Sequence, residues 1–307
     1  MKYSIVIPLY NEEESIDELY IRVKEVMDSI ASSNYEILFV NDGSTDSSSD
    51  KVYKLKKKDK SVRMISFRKN LGKSAGLSAG FKNSKGEIII TMDGDLQDEP
   101  KEIPKLLAKI EEGYDLVSGW KENRQDPMDK TLPSKVFNYT VSTLTGLNFH
   151  DFNCGFKAYR RQVVDEIILY GQLYRFIPVL ADERGFKCAE VKVKHNKRKY
   201  GKSKYNWKRF FAGIFDIFTI VYFLKFDESP MHLMGFTGFL LFILSLFSLL
   251  MSAFMLFLKS FIPALFLIIS CLLFLSLGFL SIFIGLVAEQ AARKDSSARK
   301  YQIKQVV

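Results

Sequence analysis

Asp93-Gly94-Asp95 close the apolar run Glu87-Ile88-Ile89-Ile90-Thr91-Met92, so two carboxylates sit one residue apart where a buried strand meets solvent. A short β-branched run bounded by Gly86 reads as a core strand. Ligands of open α/β sheets gather at the carboxyl ends of such strands. Hard cations such as Mg²⁺ or Mn²⁺ take one or two carboxylates and complete their shells with water and phosphate oxygens. The spacing suggests a metal that holds a diphosphate. A calcium-binding EF-hand loop does not fit, because counting from Asp93 its glycine position is Asp98 and its bidentate glutamate position is Pro104.

Three further polar clusters follow predicted strands in the same way: Pro8-Leu9-Tyr10-Asn11-Glu12, Asn41-Asp42-Gly43-Ser44-Thr45-Asp46 and Lys69-Asn70-Leu71-Gly72-Lys73. Strands are expected over Tyr3 to Pro8, Tyr35 to Val40, Arg63 to Phe67 and Glu87 to Met92. Helices alternate with them, over about Glu13 to Ser29, up to about Asp59, and over about Ser74 to Lys82 and Lys101 to Glu111. This βα rhythm is that of an α/β protein with a mainly parallel, doubly wound sheet. Later strands are expected over Leu116 to Gly119, Gly155 to Tyr159 and Cys188 to His195, and Asn11 with Glu14 reads as a capping box for the first helix. All four clusters would line one edge of the sheet and form a nucleotide crevice. Neither the dinucleotide fingerprint G-x-G-x-x-G nor the P-loop is present, so NAD chemistry and phosphoryl transfer from ATP are not supported.

The 307 residues carry 44 Lys and Arg against 35 Asp and Glu, a net charge of +9. Up to about Arg209 charged and apolar segments alternate as in a soluble domain, whereas Phe210 to Val287 is dominated by Phe, Leu and Ile. Gly235 to Leu258 and Ile262 to Val287 contain no charged residue and would span roughly 36 to 39 Å as helices, enough to cross a ~30 Å hydrocarbon core with tilt. Only Lys259-Ser260-Phe261 separates them, so they form a transmembrane hairpin with both flanks on one side. Lys208 and Arg209 before it, with Arg293, Lys294, Arg299 and Lys300 after it, assign that side to the cytoplasm. Phe210 to Leu224 is shorter and carries Asp216, and it reads as an interfacial helix with Trp207, Lys208 and Arg209 at headgroup phosphates. The expected organisation is a cytosolic catalytic domain over residues 1–206, a juxtamembrane interfacial helix over 207–230, the hairpin over 231–288 and a basic cytosolic tail over 289–307. The positive charge suits membrane lipids and anionic substrates; no nucleic-acid module is recognised. Tyr3 to Tyr10 is short and holds Pro8, so no signal peptide is expected. Cys154, Cys188 and Cys271 lack metal-ligand spacing and read as reduced thiols.

Lys192 to Arg209 holds nine basic residues and no acid, and Gly201 and Ser203 break it into a flexible basic loop just before the membrane. Such a loop suits closure over a diphosphate and capture of a lipid phosphate. His195 within this stretch reads as structural.

Ser4-Ile5-Val6-Ile7-Pro8-Leu9-Tyr10-Asn11-Glu12, Val40-Asn41-Asp42-Gly43-Ser44-Thr45-Asp46 and Met92-Asp93-Gly94-Asp95-Leu96-Gln97-Asp98-Glu99-Pro100 together resemble family 2 glycosyltransferases with the GT-A fold. The best match is the branch that makes polyprenyl-phosphate sugars, which includes dolichol-phosphate mannose synthase and the bacterial bactoprenol glucosyltransferases. His150-Asp151-Phe152-Asn153-Cys154-Gly155-Phe156-Lys157, Arg198-Lys199-Tyr200-Gly201-Lys202-Ser203-Lys204-Tyr205 and the two-helix tail extend the resemblance over essentially the whole chain. It implies that Pro8, Tyr10, Glu12, Asp42 and Lys73 bind the nucleotide of a UDP-sugar, with Asp42 accepting from the base. Asp93 and Asp95 would take Mg²⁺ or Mn²⁺ and the diphosphate, Asp93 nearer the ribose or base edge, and Gln97 would face the sugar or the reacting centre. Arg198 and Lys204 would reach the donor phosphates from the basic loop. Asp151 resembles the family's catalytic carboxylate. Arg124, Lys121 and Lys135 are candidates for the acceptor phosphate, where family members carry arginines.

The reaction so implied is inverting transfer of a hexose, glucose or N-acetylglucosamine, from a UDP-sugar to undecaprenyl phosphate at the cytoplasmic membrane face, for cell-envelope glycosylation. A homotetramer is implied as well. The alternatives are a polyprenyl-phosphate mannose synthase using GDP-mannose, a metal-dependent phosphatase and a non-catalytic membrane nucleotide-binding subunit. The phosphatase pattern resembles D-x-D-x-T, and Gln97 stands where its Thr should be. The intact Asp93, Asp95 and Asp151 argue against a non-catalytic subunit, and a processive synthase would carry a Q-x-x-R-W motif that is missing here.

Overall fold

The computed structural model describes residues 1–122, 128–200, 218, 219, 222, 225, 226 and 229–296, less the side chains of 128–133 and 292–296. The chain divides into two compact units, Met1–Ile217 and Phe218–Val307. In the first, β1 (Tyr3–Leu9), β2 (Tyr35–Asn41), β3 (Val62–Ser66), β4 (Ile88–Thr91), β5 (Leu116–Trp120), β6 (Lys157–Arg160) and β7 (Cys188–Lys192) form one sheet in the order β3-β2-β1-β4-β6-β5-β7. β2 is buried at every position, which is why it reads as a continuous apolar run rather than an alternating one. α1 (Ile16–Ala31) buries Ile16, Leu19, Val23, Val26 and Met27, the spacing of a single helical stripe, against Ile5 and Ile7. α3 (Lys73–Asn83) covers the other face, with Gly80 so close to Val6 and Val40 that any side chain there would collide. α2 (Ser48–Lys58) and α4 (Ile103–Glu111) complete the expected alternation.

Register decides where the strands deliver their loops. Leu9 pairs with Asn41, Asn41 with Ser66, and Val6 with Thr91, all in parallel, so four strands end at one edge. β6 runs against both neighbours, pairing Lys157 with Thr91 and with Ser118. The chain that precedes β6, rather than the chain that follows it, therefore arrives at that edge. α5 (Met128–Thr145), α6 (Arg161–Glu166) and α7 (Ile177–Glu183) lie outside the expected elements. α5 is hard to read because its pattern is inverted: Asn138 is buried, while Val136 and Tyr139 are exposed.

The second unit is a helical hairpin, α8 (Pro230–Phe257) and α9 (Phe261–Ser296), turned at Lys259 with φ 58°. By length and composition both helices are able to cross a membrane. Their mutual contact is built from small residues at a seven-residue period: Gly238, Ser245 and Ser252 on α8, and Ala264, Cys271, Gly278 and Gly285 on α9, all buried. A Cβ on Gly238 would fall 2.8 Å from Ile282 Cγ1 and 3.0 Å from the Gly278 carbonyl oxygen. Ser245 donates to the Cys271 carbonyl at 3.0 Å and Ser252 to the Ala264 carbonyl at 3.1 Å. Close approach and cross-helix hydroxyl bonds are what hold apolar helices together where burial from water supplies no drive. The expected interfacial helix over 207–230 and the end of the basic tail lie largely outside the described residues.

Candidate active site

The first two strand-end clusters lock onto each other. Asn11, at φ 53°, donates its backbone N–H to Ser44 Oγ at 3.0 Å and accepts the Thr45 N–H on its side-chain oxygen at 2.8 Å. Glu12 N–H is held by Ser48 Oγ at 3.0 Å. Asn11 and Glu14 therefore do not form the expected capping box: α1 starts at Ile16, and the Asn11 side chain is already committed to the β2 loop. Pro8 and Tyr10 sit half-buried at the end of β1. Asp42, just past β2, accepts the Leu71 and Gly72 N–H groups at 2.7 and 2.9 Å, which closes the β3–α3 loop upon it. The same closure needs Gly43, whose φ is 69° and whose Cβ would overlap the Lys69 backbone. Each Asp42 oxygen keeps a second lone pair for a ligand.

Asp93, Asp95 and Asp98 follow β4 in a loop bent by Leu96, a buried residue with φ 63°. The loop is tied to α1 by Ser15, whose hydroxyl donates to the Gly94 carbonyl at 2.6 Å. Asp98 accepts the Asp93 N–H at 3.0 Å and pairs with Lys121 at 2.8 Å. Lys73 pairs with Asp93 and lies 5.3 Å from the centre of the Tyr174 ring. Burial opposes ionisation of Asp93, but Lys73, Lys121 and Lys157 hold its carboxyl below the usual carboxylate range. Asp95 behaves in the opposite way. Burial, then repulsion from Asp93 and Asp98, pushes it up to about 6 against the pull of Arg198. Arg198 bonds Glu12 at 2.6 Å and approaches Asp95 at 3.7 Å, so the basic stretch after β7 reaches both the β1 and β4 loops. Gln97 donates its N–H to Asp95 at 3.2 Å and accepts the Asn196 N–H at 2.9 Å. His195, 9% exposed, bridges to Asp98 through the backbone.

Asp151 reaches the same edge because β6 is reversed. The loop before β6 passes so close to Asp93 that a Cβ on Gly155 would fall 2.7 Å from both Asp93 carboxylate oxygens. Thr91 fixes that approach by donating to the Gly155 carbonyl at 2.7 Å. Asp151 itself is 1% exposed and accepts the Asn153 N–H at 3.1 Å. Lys121 is drawn in to Asp98 rather than presented on the surface, whereas Lys135 is exposed on α5. Arg124 and Lys204 lie outside the described residues. Glu190 and Asn138 carried no signal in the sequence, and with the buried Lys157, seen there only as the end of a motif, they bond the backbone of the Asp151 loop.

Among the described residues no three or more His, Cys, Asp or Glu side chains converge as a closed metal cage. Asp93 and Asp95 nevertheless fit a hard cation, since Mg²⁺ and Mn²⁺ need one or two carboxylates and take the rest from water and phosphate. Burial, and then Asp93 and Asp98, raise the Asp95 carboxyl, and such a cation would favour its ionised form.

Residues 4–168 match the family model described as glycosyl transferase family 2. Undecaprenyl-phosphate 4-deoxy-4-formamido-L-arabinose transferase of Salmonella choleraesuis (strain SC-B67) is 36% identical over 238 residues, 77% of this chain and 71% of the relative. The protein of the same name from Salmonella newport (strain SL254) gives the same identity and coverage. Among solved structures, glucosyl-3-phosphoglycerate synthase from Mycobacterium tuberculosis with phosphoglyceric acid superposes at a TM-score of 0.56, with 18% identity over 73% of this chain and 79% of that chain. Its complex with Mn²⁺ and UDP-glucose gives 0.55, with 17% identity over 73% and 78%. At that identity the likeness speaks for the fold, which is GT-A. The chain is a sugar-transferring enzyme and belongs to glycosyl transferase family 2.

Proposed function

We propose that the protein moves a sugar from a uridine diphosphate donor onto undecaprenyl phosphate at the cytoplasmic face of a membrane, with inversion at the anomeric carbon. The observation that carries this reading is the contact of Gly155 with Asp93, through which the D-x-D loop and the Asp151 loop share one floor. A donor diphosphate on Asp93 and Asp95 would thus have Asp151 on the neighbouring loop. The relatives' printed name supports the acceptor. Complexes of the structural neighbour with Mn²⁺ and UDP-glucose support the donor class and the cation. The same relatives bring 4-deoxy-4-formamido-L-arabinose into consideration as the donor sugar beside glucose and N-acetylglucosamine.

Asp93 and Asp95 would hold Mg²⁺ or Mn²⁺, which when bound offsets the charge that develops on the leaving diphosphate. The residues of the chain do the rest. Asp42 and the β3–α3 loop seat the nucleoside, Arg198 turns from Glu12 and Asp95 to the donor phosphates, and Lys135 with Arg124 receives the lipid phosphate. A phosphate oxygen of the acceptor attacks the anomeric carbon, forming a new carbon–oxygen bond while the bond to the diphosphate breaks. A phosphate monoester, with a second pKa near 6, is largely dianionic at pH 7 and needs no base to ionise it. Asp151 therefore serves to orient the sugar and the attacking oxygen. Withdrawing the acceptor's tail from a bilayer costs about 0.8 kcal/mol per CH₂, so the enzyme must work at the headgroup plane. The apolar hairpin and the positive flanks of the chain suit that position.

The test is to incubate the detergent-solubilised full chain with undecaprenyl phosphate, Mg²⁺ or Mn²⁺ and a panel of UDP-sugars plus GDP-mannose, then weigh the lipid product. A lipid gaining the mass of one sugar residue from a UDP donor is expected. Transfer from GDP-mannose alone, or release of phosphate with no lipid product, would overturn the proposal.

A further inference from the structure

We propose that Glu190 is a positioning residue for the transfer step and acts by fixing the backbone that carries Asp151. This rests on the assignment of Asp151 to that step. The loop from His150 to Gly155 joins α5 to β6 and belongs to no strand, so its backbone N–H and C=O groups need partners from elsewhere. Glu190, in the middle of β7 and with its side chain 9% exposed, supplies them on one side. Its Oε1 accepts the Asp151 N–H at 2.8 Å and the His150 N–H at 3.1 Å. Its Oε2 accepts the His150 N–H at 3.0 Å and lies 2.9 Å from His150 Nδ1. The His150 ring is in turn stacked on Trp120, with centroids 4.0 Å apart and planes 13° from parallel. On the other side Lys157 donates to the Phe152 carbonyl at 3.3 Å and to the Cys154 carbonyl. An anion thus holds the loop's N–H groups and a buried cation its carbonyls, and Asp151 sits between them.

The chemistry selects a carboxylate at position 190. Three donors converge on its two oxygens, and bonds to a charged acceptor are roughly twice as strong as neutral ones. A glutamine would keep one accepting oxygen and turn an NH₂ toward the remaining donors, whereas an alanine would release the loop. Misplacement of a reacting group by about 1 Å is enough to cost on the order of 100-fold in rate.

Four full-length proteins in detergent test this: Glu190→Gln, Glu190→Ala, Asp151→Asn and the double variant Glu190→Gln/Asp151→Asn. For each, kcat, donor KM, UDP binding and the melting temperature are measured. Glu190→Ala should lower kcat by about 10- to 100-fold with donor KM within about twofold, and Glu190→Gln should recover part of that loss. The double variant should turn over no more slowly than Asp151→Asn alone, because Glu190 acts through Asp151. Wild-type kcat in Glu190→Gln, or a double variant slowed by the product of the two single losses, overturns the proposal even where Asp151→Asn is inactive. Loss of UDP binding in Glu190→Ala with unchanged kcat in Glu190→Gln also overturns it, by showing Glu190 to be structural only. Near-wild-type turnover of Asp151→Asn instead overturns the assignment of Asp151 on which the proposal rests.

Discussion

The sheet carries acids near both ends of its strands, in different electrostatic circumstances. At the amino ends, Glu36 is 1% exposed and bonded to the Ser4 hydroxyl, the Lys85 N–H and Arg63. Burial opposes its ionisation, yet these partners hold its carboxyl below the usual range. Asp59, just before β3, is served by Tyr20, Ser61 and Lys24 and is likewise held low. At the carboxyl ends, Asp93, Asp95 and Asp98 crowd one another, and Asp95 is pushed up to about 6. One end satisfies its charges within the fold and gains stability. The other pairs Asp93 with Lys73 and Asp98 with Lys121 but holds the Asp95 carboxyl raised, and a bound cation would favour its ionised form.

The largest effect should come from the crowded end. Asp95→Asn should lower sugar transfer by at least about 100-fold, the scale lost with one preorganised electrostatic group, without impairing the fold; transfer assays with matched circular dichroism check this. Gly155→Ala comes next. Its methyl would press on Asp93, and a fall of about 10-fold in transfer with little change in melting temperature is expected from kinetics on the purified variant.

The quiet end should respond in reverse. Glu36→Gln should destabilise by about 1 to 3 kcal/mol in denaturant titration while the protein that remains folded keeps its turnover. Asp59→Asn should be milder, about 1 kcal/mol at pH 7. Its sign follows from a folded-state carboxyl held below its unfolded value of about 3.9: the contribution is present above that pH and drains away as pH falls further. Melting curves of variant and wild type should therefore converge as the pH drops below about 4, and a gap that widens there would break the comparison.

The sheet and the acids at its carboxyl edge are legible in the sequence, whereas the satisfied acids at the amino ends are not. β2 and β4 read as core strands because both faces of the sheet are covered, and the acids after β4 announce themselves by following such a run directly. The hairpin is equally plain, since uncharged stretches of that length have few other fates. Partnerships across long sequence separation were not legible. Glu190 meets the Asp151 loop from 39 residues away, and a lone acid within a mixed strand carries no mark of the donors it will receive. Asn11 misleads for a related reason: an Asn before a helix looks like a cap, but Thr45, 34 residues on, claims its oxygen. The direction of β6 leaves no mark in the sequence either, because alternating burial is the same whichever way a strand runs.

A thermal-shift comparison of wild type and Asp95→Asn, each alone and with Mn²⁺ plus UDP, bears most directly on the raised Asp95 carboxyl. The wild type should gain several degrees on adding Mn²⁺ and UDP, while the variant should melt at or above the wild-type temperature when empty and gain little. A variant that melts well below the empty wild type, or that keeps the full ligand shift, would contradict the view that Asp95 stores charge for a bound cation.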